Sequence, residues 1–467
     1  MSPNNAPLRL ELPRREDLRE LLRLALPVTG VQIGLMLMGV VDTIMVGHVS
    51  ATALAAAALG NLYFFAVMVF GMGVLMVLDP LVSQGVGAGD RRQVRLAMQR
   101  GLLLALGLAA VASLMCLPAR TLFTRMGQPR EVIPVAVAFL NASIPGMLPF
   151  LLFFVGRQSL QAMKHTRAIV ACMIAGNVLN AGLNLVLVFG NLGSPALGAV
   201  GSAWASTVSR SVMCALLYAS SWSILRPAFV PFERAALEAR ALWVMLRLGV
   251  PIGIQSALEF GVFALVALLM GRLGATTMAA HQVAINLASF TYMVPLGVSS
   301  ATAVLVGQAV GRGDGPGVAR VAASALACGV GFMTCTALAF TLAPRGFASL
   351  YTTDPAVIAT ASLLLPLAGV FQVFDGTQVV CAGVLRGAGE TRAPMIVNAI
   401  GFWAIGLPFG LWLGFGVGLG GVGLWWGLVL GLAAVAVILL LRLIQRLRHG
   451  IERVRVEPQV GQPAQTA

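Results

Sequence analysis

LMLMGVVDTIMVG, residues 35–47, closes an apolar run that begins at Leu24 and holds one ionisable side chain, Asp42. A helix needs about 20 mostly apolar residues to cross a bilayer, and this run is long enough. An acid at that depth is costly and marks function by default. The pattern recurs twice: SALEFGVFALVALLMG (256–271) carries Glu259, and LLLPLAGVFQVFDGTQVV (363–380) carries Asp375. Three acids inside hydrocarbon describe a chain that handles a cation within a membrane.

Composition agrees. Hydrophobic residues make up 58% of the 467-residue chain and charged residues 10%, with a mean hydropathy of +0.89. The expected fold is an all-α polytopic membrane protein with about twelve spans. They are placed near 24–47, 53–80, 95–117, 132–156, 167–190, 197–225, 243–270, 277–307, 319–344, 355–384, 393–416 and 420–443. The chain opens with a polar stretch and its first apolar run exceeds signal-peptide length, so that run is expected to stay in the mature protein.

Basic residues orient the bundle. Arg14, Arg15, Arg91, Arg92, Lys164, Arg226, Arg312, Arg446 and Arg448 are among the many on one side, against Arg120, Arg125, Arg130, Arg272 and Arg345 on the other. The positive-inside rule then puts both termini in the cytoplasm and requires an even number of spans. The net charge of +14 is accounted for by this topology and by anionic lipid at the inner leaflet; no aromatic–basic motif supports nucleic-acid binding. Segment 8–23 alternates charge with leucine and reads as an interfacial helix. The six cysteines lack metal-ligand spacing and read as reduced packing residues. No HExxH or GxSxG pattern appears, so the chain is not expected to be an enzyme or to hold a cofactor beyond a coupling ion.

The organisation is a duplication. At one constant offset GHVSATALAA (47–56) lies over GRLGATTMAA (271–280), and QGVGAGD (84–90) over QAVGRGD (308–314). Pro27 answers Pro251 at that same offset, and one residue further LQAMKHTRA (160–168) lies over LRGAGETRA (385–393). Two homologous six-helix lobes around a central cavity are expected, in the parallel-repeat arrangement of some transporters. Residues 1–23 form an N-terminal segment, 24–225 the first lobe, 226–242 a connector, 243–443 the second lobe and 444–467 a tail. The acids do not repeat: Val266 answers Asp42 and Leu35 answers Glu259. Each lobe is therefore given its own task.

Polar residues sharing a helix face mark candidate sites. Asn177, Asn180 and Asn184 form one stripe of the fifth span. They read either as interhelical glue or, with Asp42 and a hydroxyl from Ser206 or Thr207, as an oxygen-rich cage. In the second lobe Gln255 and Glu259, Gln282 and Asn286, and Gln372, Asp375 and Gln378 each share a face, and the three faces are expected to converge. Two carboxylates close together need a proton or a metal ion between them. Tyr292 and Met293 extend the Asn286 face as a soft wall for a flat cationic ligand. Asp354 either attracts cations at an outer mouth or caps a helix. Arg210, read as the sole base inside a span, has three uses open: pairing with an acid, lining a cavity, or snorkelling.

VVDTIMVGHVSATALAA (40–56), ALEFGVFALVALLMGRLGATTMAAHQVAIN (257–286) and FQVFDGTQVVCAGVLRGAGETR (371–392) together resemble the multidrug and toxic compound extrusion (MATE) family, most closely its NorM-type branch. The resemblance covers roughly Leu24 to Leu443. It implies a monomeric two-lobed antiporter of the bacterial inner membrane that exports small organic cations against sodium or proton entry. It places the coupling site of the second lobe on Glu259 and Asp375 and that of the first on Asp42, Asn180 and Asn184, with Ser206 or Thr207 beside them. Sodium would be held by oxygens at Glu259 and Asp375, or at Asp42 and Asn180. Asp79 departs from the family pattern and is assigned a structural role. A flippase for lipid-linked precursors is the rival reading; it requires a basic lumen.

Overall fold

The structure is a computed structural model that describes residues 14–454 and residue 456. No strand occurs among them. Eleven helices are long and apolar enough to cross a membrane: α1 Arg15–Gly47, α2 Ala51–Gly87, α3 Arg91–Cys116, α4 Val132–Ala162, α5 Arg167–Leu187, α7 Ala239–Arg272, α8 Ala275–Arg312, α9 Gly315–Leu342, α10 Pro355–Gly387, α11 Arg392–Gly416 and α12 Gly420–His449. The remaining span, α6 (Gly198–Ser220), passes the same test only together with Trp222–Phe229, from which it bends by 86°. Its serines and Arg210 dilute its apolar character, and that polarity bears on the site below. Helix α2 runs seven residues and α8 five residues past their expected ends, in turns that are largely buried and so pack as helix, while α3 begins four residues before its expected start. Residues 8–13 of the expected interfacial helix lie outside the described residues, while Arg15–Arg23 form the first turns of α1 without a break.

The duplicated motifs have a shared geometry. In QGVGAGD, Gly89 has φ +69 and Asp90 accepts a hydrogen bond from Gln93 N at 2.9 Å, capping α3. In QAVGRGD, Gly313 has φ +72 and Asp314 accepts from Gly317 N at 2.8 Å, capping α9. A left-handed glycine ends one helix and the aspartate starts the next. This is why two residues of such different chemistry recur as a pair.

The described residues divide into two compact units. One contains residues up to Thr29, Gly87–Gly89 and Ile254–Val454; the other contains Gly30–Val86 and Asp90–Gly253. In the first, glycines let helices approach closely, the usual source of association in a bilayer. A Cβ at Gly387 of α10 would lie 3.0 Å from Ala303 Cα of α8, and Ser299 Oγ donates to Val379 O at 2.6 Å between the same helices. Arg320 pairs with Asp17 at 3.4 Å, holding the opening turns of α1 in this unit. In the second unit the connector is tied to α3. Gln99 Nε2 donates to Ala228 O and Pro231 O, both at 3.0 Å, Arg100 Nη2 donates to Ala235 O at 2.8 Å, and Arg95 pairs with Glu233 at 2.9 Å.

Candidate functional site

Asp42, buried on α1, is met by three donors. Asn180 Nδ2 and Asn184 Nδ2 of α5 donate to its Oδ1 at 3.1 and 2.8 Å, and Ser206 Oγ of α6 donates to its Oδ2 at 2.5 Å. Asn180 also reaches Ser206 Oγ at 3.2 Å. The polar stripe of α5 therefore faces the acid of α1 and the serine-rich side of α6. Thr207 turns away and donates to Ala142 O of α4 at 2.8 Å. Asn177 stays on its own helix, donating to Met173 O at 2.9 Å. Among the described residues the buried Oδ1 atoms of Asn177, Asn180 and Asn184 have no hydrogen-bond partner. Such orphaned acceptors are costly in a bilayer. A small hard cation taking oxygen ligands fits Asn180, Asn184 and Asp42.

Arg210 lies one turn beyond Ser206. Its Cζ sits 4.4 Å from the Phe64 ring centroid and 5.3 Å from that of Phe150, a cation–π arrangement in a buried setting. It is not the sole base inside a span. Arg157 is buried within α4, donates to Gln32 Oε1 of α1 at 3.1 Å and lies over the Phe154 ring. The helix runs six residues past its expected end, which draws Arg157 inside. Asp79, fully buried toward the C-terminal end of α2, accepts from Gln158 Nε2 at 2.7 Å and is within electrostatic reach of Arg157.

Glu259 of α7 is the centre of the other cluster. Gln255 Nε2 of its own helix donates to Oε1 at 3.1 Å, Gln378 Nε2 of α10 at 2.8 Å and Asn398 Nδ2 of α11 at 2.9 Å. Asp375 stands one turn before Gln378 on the same face and interacts electrostatically with Glu259. Tyr292 of α8 lies within electrostatic reach of both acids. The faces of α7 and α10 thus converge as their spacing requires.

The other second-half candidates separate. Gln372 is fully buried, accepts from Thr336 Oγ1 at 2.9 Å and donates to Thr291 Oγ1 and, at 3.4 Å, to Ala288 O. Its amide is used up in joining α8, α9 and α10. Gln282 and Asn286 share an exposed face of α8. Asp354 accepts from Ala356 N at 2.8 Å, the geometry of a helix cap. The residue that spacing did not reveal is Asn398. Its signal was a single carboxamide in the apolar stretch MIVNAIGFW, which has no periodic partner to draw attention to it.

Spanning helices with a carboxylate–amide cluster in each half define a multi-pass membrane protein built around polar sites inside its helical bundle. The chain belongs to the MatE family: the family profile matches twice, over residues 27–186 and 251–412, one match per half. It is 36% identical over 443 residues to a probable multidrug resistance protein NorM of Mesorhizobium japonicum, covering 92% of this chain and 94% of that protein. It is likewise 36% identical over 452 residues to the protein of that name in Xanthomonas axonopodis pv. citri, covering 96% and 98%. The fold matches the eukaryotic MATE transporter AtDTX14 with a TM-score of 0.84 at 21% identity, over 93% of this chain and 98% of that one. It matches the Vibrio cholerae MATE transporter VcmN in its bent form with a TM-score of 0.82 at 19% identity, over 93% and 97%.

Proposed function

We propose that this chain is a secondary multidrug efflux transporter that exports small organic cations in exchange for entering sodium ions or protons. The observation that carries the reading is the convergence of α7, α10 and α11 on Glu259, with Asp375, one turn from Gln378 on α10, within electrostatic reach of it. Two carboxylates in a low-dielectric interior repel unless a positive charge joins them. A cation or proton arriving there removes the repulsion, and a cationic substrate competes for the same field. That competition is the physical basis of exchange. The relatives named as multidrug resistance proteins support the substrate class.

On this reading the protein sits in the bacterial inner membrane as a monomer with both termini cytoplasmic, the arrangement its basic residues favour. It carries out no covalent chemistry. The first-half cluster around Asp42 supplies a second polar site whose amide oxygens suit sodium. A lipid-linked pyrophosphate would need free bases, whereas Arg210 is stacked on two rings and Arg157 is engaged with Gln32.

The test is ethidium efflux from loaded vesicles with sodium and proton gradients imposed separately. Acceleration by one gradient identifies the coupling ion. Efflux indifferent to both gradients overturns the exchange reading.

A further inference from the structure

We propose that Asn398 is a positioning residue for Glu259: with Gln255 and Gln378 it fills Oε1 with N–H donors and leaves Oε2 as the oxygen that exchanges the coupling ion. All three amides donate to the same oxygen, at 3.1, 2.8 and 2.9 Å. A carboxylate oxygen has only two in-plane lone pairs. One that already accepts three N–H groups has no room for a proton, and the amide hydrogens repel an approaching cation. Exchange is thereby confined to Oε2. The contrast with Asp42, whose donors are divided between Oδ1 and Oδ2, makes this arrangement particular to the second half.

Asn398 is held to this task from two directions. Its Oδ1 accepts from Gln378 Nε2 at 3.4 Å, so a rotated Asn398 amide would set its NH2 against that of Gln378 and its carbonyl oxygen against the carboxylate. Its helix is seated by glycines. From Ala399 to Gly406 α11 widens into a π-helix, a form that recurs at functional sites. A Cβ at Gly401 would lie 2.9 Å from Gly431 O of α12, and one at Gly406 would lie 2.9 Å from Gly427 O. This close seating fixes the height of the fully buried Asn398 against Glu259.

The inference deepens the exchange reading and rests on it, so the experiment keeps the two apart. Asn398→Leu preserves volume and removes the donor. In vesicles it is expected to lower the half-saturating concentration of the coupling ion about tenfold, because the ion-free carboxylate loses one hydrogen bond to a charged group that the ion-bound form needs less. Asn398→Ser, which keeps a shorter donor and guards against misfolding of the leucine variant, is expected to shift it less. The infrared carboxyl band that disappears in Glu259→Gln should move to higher frequency in Asn398→Leu, because its carbonyl oxygen has lost a donor. Wild-type ion dependence with an unmoved band in both Asn398 variants overturns the proposal. Undiminished ion-coupled efflux by Glu259→Gln overturns the exchange reading itself.

Discussion

Ser206 Oγ meets Asp42 Oδ2 at 2.5 Å across 164 residues of chain, while the adjacent Thr207 hydroxyl points to Ala142 O on another helix. The two neighbours therefore have separable roles. Ser206→Ala is expected to lower coupled efflux about tenfold, in line with the roughly 1.5–3 kcal/mol of a hydrogen bond to a charged group. Thr207→Ala should cost ~1 kcal/mol of stability or less and leave ion dependence alone. Efflux rates and thermal melts of the two purified variants check this, and equal effects on efflux would refute the assignment.

Glu259→Gln and Asp375→Asn should each abolish ion-coupled export while the protein stays folded and inserted. A glutamine at 259 still offers a carbonyl oxygen to Gln255, Gln378 and Asn398, so the packing is retained and only the charge is lost. Melting temperatures near wild type with no gradient-driven efflux is the expected pair of results. Normal efflux by either variant would remove that acid from the coupling site.

Arg210 lies against the Phe64 and Phe150 rings, and that contact gives a stability prediction. Arg210→Lys replaces a flat guanidinium with a compact ammonium that stacks poorly, and a buried cation–π contact contributes about 2 kcal/mol. A melting temperature lowered by a few degrees with the coupling-ion preference unchanged is expected. A changed ion preference at full stability would instead place Arg210 in the exchange chemistry.

Asp90 and Asp314 cap α3 and α9 at matched positions of the repeat, so Asp90→Ala and Asp314→Ala should each destabilise by about 1 kcal/mol. The two caps lie in different units, and the double variant should show the sum. Thermal unfolding in detergent measures all three. A strongly non-additive double variant would reveal coupling that the cap geometry does not provide.

Stoichiometry can be read from the membrane potential. One charge moving through ~100 mV gains about 2.3 kcal/mol. Clamping vesicles at zero potential with potassium and valinomycin, while keeping the ion gradient, leaves one-for-one exchange of a monovalent dye unchanged and slows two-for-one exchange. Efflux driven by ATP without an ion gradient contradicts both.

The spans, the repeat and the three acids were legible from residue order because each is a local property. Twenty apolar residues must be helical in lipid, where no water can satisfy the backbone, and Gly89–Asp90 and Gly313–Asp314 recur because a helix stop and start need those two residues in succession. What residue order left open was rotation and reach. A helical residue points about 100° from its neighbour, so whether Ser206 or Thr207 meets Asp42 depends on how α6 is turned against α1 and α5, which packing alone decides. Gln372 and Gln378 looked equivalent on one face of α10, yet one is consumed by Thr291 and Thr336 while the other reaches Glu259. Asn398, alone in an apolar stretch, acquired a partner only when the glycines of α11 and α12 brought it to the height of Glu259.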